Sequence, residues 1–130
     1  MLSALRGHRG DDPLTVERAL TAYKKEGLNC AQSILRAFQS HRRIPEEAII
    51  NAERLGGGQA EAGVCGALYA ALQLMNEPPA RQRLSDAFVA RAGSDKCGEI
   101  GISCVECVRL AASLTMAQGG GATKGVVAKN

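Results

Sequence analysis

Aromatic side chains are scarce in this chain. Trp is absent, and two Tyr and two Phe are the whole complement. A core made without them has to draw on Ala, Leu, Ile and Val, the smaller of the residues that fill interiors. The scarcity also removes the stacking platforms on which single-stranded nucleic acid binds. The net charge of +3, from 16 basic and 13 acidic residues, is too small to hold a phosphate backbone. Basic residues do cluster at Lys24-Lys25 and His41-Arg42-Arg43, where cations at solvated helix ends suit the helix dipole. No apolar run approaches the roughly 20 residues of a membrane span, so no membrane insertion is expected. The first twelve residues lack the apolar stretch of a secretory signal. The reading is therefore a cytoplasmic protein with no nucleic-acid partner.

Other absences narrow the chemistry. Gly56-Gly57-Gly58 and Gly63 have no Gly-Lys-Ser/Thr beside them and no Gly-x-Gly-x-x-Gly spacing, which argues against a nucleotide cradle. The carboxylates form no inward-facing pair for acid–base hydrolysis. His8 and His41 are the only histidines, and neither stands at a spacing that makes it the base of a cysteine hydrolase. Val108 follows Cys107, so Cys-x-x-Cys-His, the haem attachment sequence, is missing.

What the chain does have is five cysteines in 130 residues. The odd count and the missing export signal point to a reducing compartment, where clustered cysteines more often catalyse or bind metal than staple a fold. Two of them begin capped helices. Asn29 precedes Cys30, with Gln32 at the third helical position; Ser103 precedes Cys104, with Glu106 completing a Ser-x-x-Glu capping box. At that place the backbone N–H groups are unpaired and the dipole is positive, which favours thiolate. Cys104 and Cys107 form Cys-x-x-Cys, a spacing that suits a redox disulfide or two metal ligands. Cys65 precedes Gly66, which permits close approach to sulfur, metal or another helix. Cys97 sits in a turn beside Lys96. The bland alternative for each is a small buried hydrophobe.

Hydrophobic periodicity predicts helices throughout. Val16, Ala19, Leu20 and Tyr23 follow Asp12-Pro13 and give one apolar face, ended by Gly27. The second helix runs from Cys30 to near His41, with Ala31, Ile34, Leu35 and Phe38 inward. Pro45 with Glu46 and Glu47 opens a third, carrying Ala48, Ile49, Ala52 and Leu55 and stopped by the glycine run. A fourth spans about Cys65 to Met75 and is broken by Asn76-Glu77-Pro78-Pro79. A fifth covers roughly Ala80 to Arg91, with Leu84, Ala87 and Phe88 inward. A sixth runs from about Cys104 to Ala117, with Cys104, Cys107, Val108 and Ala111 on one side. No segment alternates like a strand. The expected architecture is all-α, an irregular bundle of five or six short helices, formed by residues 12–118 between a flexible lead-in of residues 1–11 and a disordered Gly-rich tail of residues 119–130. A homodimer would give such a bundle a further face to bury.

With these elements in order, the sequence resembles the family of redox-active proteins named for its Cys … Gly-Cys-Ala-x-x-Gly … Cys … Cys arrangement. The first element matches at Gly27-Leu28-Asn29-Cys30-Ala31-Gln32, the second at Gly56-Gly57-Gly58 and Gly63-Val64-Cys65-Gly66-Ala67, the third at Cys97-Gly98-Glu99-Ile100, and the fourth at Cys104-Val105-Glu106-Cys107. The chain departs from the pattern at three points: Ala70 replaces a glycine, the stretch between the third and fourth cysteines is shortened, and Cys107 is additional. The resemblance implies redox activity at Cys30, Cys65, Cys97 and Cys104 with a partner protein or small oxidant of unstated identity. It makes an iron–sulfur cluster on Cys30, Cys65, Cys97 and Cys104 or Cys107 the alternative, and the same donors suit zinc in a structural version. A third reading is a helical interaction protein whose cysteines only pack.

Overall fold

The computed structural model describes residues 13–56, 60 and 63–118. The lead-in, the Asp12 cap, His8 and the Gly-rich tail lie outside them, as do Gly57 and Gly58. Among the described residues there are seven α-helices and two 3₁₀ turns: α1 (Pro13–Lys25), α2 (Cys30–Ala37), α3 (Gln39–Arg42), α4 (Glu46–Asn51), a 3₁₀ turn (Ala52–Leu55), α5 (Gly66–Gln73), α6 (Pro78–Ala92), a second 3₁₀ turn (Cys97–Glu99) and α7 (Cys104–Ala117). The all-α architecture is as the periodicity requires. The one β-type pairing among them is a single bridge between Val64 and Lys96.

The most apolar element is α5. Gly66, Ala67, Leu68, Ala70 and Ala71 are all buried, because a helix with no polar face must be covered on every side. α2 and α7 pack against it, and α1 rests on both α2 and α7. α6 closes the assembly by contributing Leu84 and Phe88, both fully buried, to one continuous core. Small alanines at the crossings let the helices approach closely, which is how a chain with so few rings fills its interior.

Several boundaries differ from the periodicity, each for a local reason. The second helix stops at Ala37 and resumes as the short α3, which ends at Arg43 in the left-handed region (φ 54°). Phe38 sits at the break with its ring fully buried. Cys65 is the N-cap of α5 and not its first residue. The chain does break between α5 and α6, but α6 begins earlier than Ala80, with Pro78 and Pro79 in its first turn, where a missing N–H costs nothing because that position has no intrahelical acceptor. The turn after α1 needs Gly27, whose φ of +75° is one that side chains rarely adopt.

Candidate functional site

The N-terminus of α2 is fixed before any sulfur is considered. Asn29 Oδ1 accepts from the Gln32 backbone N–H at 2.7 Å, and the Asn29 N–H donates to Gln32 Oε1 at 3.0 Å, so the capping box is complete. The same two side chains reach outward. Asn29 Nδ2 donates to the carbonyls of Ala52 (3.3 Å) and Glu53 (2.7 Å), and Gln32 Nε2 donates to the carbonyl of Ile49 at 3.0 Å. These bonds tie the start of α2 to carbonyls at the end of α4 and in the 3₁₀ turn. They hold Cys30, the first residue of α2, against the chain that leads to α5.

Cys30 then meets the start of α5. A Cβ on Gly66 would stand 2.7 Å from Cys30 Sγ and 2.8 Å from the carbonyl oxygen of Leu55. Only glycine permits this approach, and what it admits is a sulfur on one side and backbone on the other. Cys30 and Cys65 share a hydrogen bond, and the amide groups at the two helix starts converge on them: Ala31 and Ala67 on Cys30, Ala67 and Leu68 on Cys65. Cys107 lies within hydrogen-bond reach of Cys65 from α7. Three sulfurs from three helices thus form a chain with Cys65 in the middle, and all three are buried: Cys30 is 8% exposed, Cys65 4% and Cys107 4%.

Their electrostatics separate them. The hydrogen bond from Cys30, followed by the Leu68 and Ala67 amides, holds Cys65 below the ordinary thiol value against the cost of its burial. Cys30 is pushed far up, first by that same hydrogen bond to Cys65 and then by burial. Burial pushes Cys107 up to about 11, with Cys65 partly opposing it and the neighbouring sulfurs adding to it. The first charge in this cluster therefore belongs to Cys65, and Cys30 holds the proton donated to it. The helix-start argument favours thiolate at Cys30, but between these two the sulfur that gains is the N-cap Cys65.

The remaining two cysteines stand apart from the trio. Cys104 is exposed and does not share the buried face of Cys107, Val108 and Ala111, because the first residue of α7 projects past the edge of the core. Its capping box is half made: Ser103 Oγ accepts from the Glu106 N–H at 3.3 Å, while the Glu106 carboxylate turns to Arg109 at 3.4 Å. Cys104 is hydrogen-bonded to the hydroxyl of Tyr23 on α1, whose ionisation is raised by burial and then by the charges of Cys104, Cys30 and Cys107. Tyr23, Cys30 and Cys104 line one open cleft of about 780 Å³ with Leu28, Asn29 and Glu53. Cys97 is half-buried in the second 3₁₀ turn. That turn is tied to the trio's centre, since the Cys65 N–H donates to the Asp95 carbonyl at 2.8 Å and Val64 pairs with Lys96.

All five cysteines are free thiols. Among the described residues no group of three or more His, Cys, Asp or Glu side chains is arranged to hold a metal ion. Sequence reasoning passed over Tyr23, which reads as one more apolar position of α1. The signal was its hydroxyl, which seeks a partner when the ring is drawn toward a core. Neither a protein-family model, a curated protein nor a solved structure matches this chain.

Proposed function

We propose that the protein is a thiol–disulfide redox protein whose working pair is Cys30 and Cys65. The observation that carries this reading is the hydrogen-bonded chain Cys30–Cys65–Cys107, with the Ala67 and Leu68 amides of the α5 start on Cys65 and the Ala31 and Ala67 amides on Cys30. A depressed thiol with a protonated neighbour in contact is the arrangement that thiol–disulfide exchange uses. In the net reaction the pair gives two electrons to a disulfide R–S–S–R′. One S–S bond breaks in the substrate and one forms between Cys30 and Cys65. The Cys30 proton goes to one of the two released thiolates, and the other carries the negative charge that Cys65 held. Sulfurs in hydrogen-bond contact need only small side-chain rotations to reach the roughly 2 Å of a disulfide bond.

The alternative of an iron–sulfur or zinc site draws on the same residues. The donors do not form a ligand set as they stand among the described residues, with Cys104 on the surface and Cys97 in a separate turn, so no step is assigned to such a group.

The test is a redox titration of the full chain in dithiothreitol buffers, with the bonded cysteines mapped by mass spectrometry after acid quench. A reversible Cys30–Cys65 disulfide is expected. A thiolate-absorbance titration of the reduced protein should show one thiol ionising below the ordinary range and Cys107 ionising near 11. A folded protein in which Cys30 and Cys65 stay reduced in every oxidising buffer would falsify the proposal.

A further inference from the structure

The buried pair raises a problem of access, because a thiol–disulfide exchange needs the attacking sulfur to line up with the substrate's S–S bond. Cys65 and Cys107 are 4% exposed, and a substrate cannot reach either without displacing the core. Cys104 is exposed on the same helix as Cys107, three residues earlier. Positions three apart lie on one side of a helix, with Cβ atoms roughly 5–6 Å from each other. It opens on the cleft that also contains Cys30 and Tyr23, and the Tyr23 hydroxyl is its hydrogen-bond partner.

We infer that Cys104 is the receiving sulfur of the protein: an exposed disulfide is first cleaved there, in the cleft walled by Tyr23, and the oxidation passes along α7 to Cys107 and from Cys107 to the Cys65–Cys30 pair. This rests on the redox reading above and adds its route of access. The steps balance. The Cys104 thiolate attacks R–S–S–R′, forming Cys104–S–S–R and releasing R′–S⁻. Cys107 attacks Cys104 Sγ and releases R–S⁻, leaving a Cys104–Cys107 disulfide. The Cys65 thiolate attacks Cys107 Sγ and frees Cys104. Cys30 then attacks Cys65 Sγ and frees Cys107. Two electrons leave the Cys30–Cys65 dithiol; the Cys107 proton passes to one released thiolate, the Cys30 proton restores Cys107 as it is freed, Cys104 leaves as the thiolate it began as, and the other released thiolate carries the charge that Cys65 held. Tyr23 contacts the sulfur at which the first bond changes, and its hydrogen bond aims Cys104 Sγ into the cleft.

The experiment uses the reduced full chain and hydroxyethyl disulfide, a small uncharged probe. Samples are acid-quenched over time and the modified cysteines mapped by mass. The expected course is a hydroxyethyl adduct on Cys104 first, and a Cys30–Cys65 disulfide later. Cys104→Ser should slow the internal disulfide at least tenfold. Cys107→Ser should leave the Cys104 adduct to accumulate with the internal disulfide slowed as strongly. Tyr23→Phe should slow adduct formation several-fold with the melting temperature unchanged. Prior capping of Cys104 in the folded wild-type chain with iodoacetamide repeats the first comparison without a substitution. If the internal disulfide forms at the wild-type rate with Cys104 replaced or capped, the receiving role is overturned while the Cys30–Cys65 pair stands. If it forms normally in Cys107→Ser, the route through α7 is overturned. If the Cys104 adduct forms but no Cys30–Cys65 disulfide ever follows in the wild type, the pair itself is wrong and the route with it.

Discussion

The two ends of α2 are held by opposite kinds of interaction. Its N-terminus is fixed by neutral, mostly half-buried hydrogen bonds: the Asn29–Gln32 box, their bonds to the carbonyls of Ile49, Ala52 and Glu53, and the contact of Cys30 with Gly66. Its C-terminus is fixed by charge at the surface. Arg36 makes two 2.8 Å bonds to the Glu46 carboxylate and one of 2.9 Å to Gln39, with Glu26 also near. At the N-terminal end the bonds are neutral and mostly half-shielded from water, so losing one leaves polar groups poorly paired and is the costlier change. At the exposed end the bonds are shared among several groups and screened by solvent, so each is worth little. The contact of Cys30 with Gly66 lies at the first kind of end.

Gly66→Ala should widen the contrast most. The new methyl would press on Cys30 Sγ and the Leu55 carbonyl, and overpacking of this kind costs about 3 kcal/mol. Thermal melting should fall sharply, and alkylation of Cys30 should speed up as α2 and α5 are pushed apart. An unchanged melting temperature would break the claim that close approach at Gly66 sets the geometry. Asn29→Ala comes next. It removes one helix cap and two side-chain bonds to carbonyls, at a cost of about 2 kcal/mol in denaturant unfolding. Asn29→Asp restores the acceptor but not the donor, and should recover only part of the loss.

The smallest effect is expected at the other end. Arg36 and then Gln39 hold the Glu46 carboxyl at about 2, below its ordinary 4.5. A group depressed on folding stabilises the protein above its unfolded value and loses that contribution as pH falls through the folded one. Glu46→Gln should therefore flatten the decline in stability between pH 4.5 and about 2, and the difference from wild type should shrink in high salt. A Glu46→Gln loss larger than that of Asn29→Ala, measured under the same conditions, would reverse the ranking of the two ends.

Much of the fold could be read in advance, because spacing alone marks a helix whose buried face is continuous. Ala19, Leu20 and Ile34, and later Leu84 and Phe88, fall inward as their intervals demand. The break at Phe38 could not be read, since it depends on Arg36 and Gln39 finding Glu46 and Ile44 across a turn. The site was legible in composition but not in arrangement. Asn29 and Gln32 named the capped start of α2, and Gly66 named a close approach. That Cys65 stands between two other sulfurs is a fact of three helices meeting, which no local interval encodes. Likewise Cys104 and Cys107 share a motif yet differ in depth, because the core edge runs between them.

The bridge of Val64 to Lys96 and the bond from the Cys65 amide to Asp95 place the segment before α7 directly on the start of α5. Cys30 and Cys65 are synthesised before that segment and before Cys107. Shielding of the earlier thiols thus waits for the last described helix to dock. Thiol protection would serve as a clock for completion of folding, and a chain caught halfway would be the species most vulnerable to mispaired oxidation.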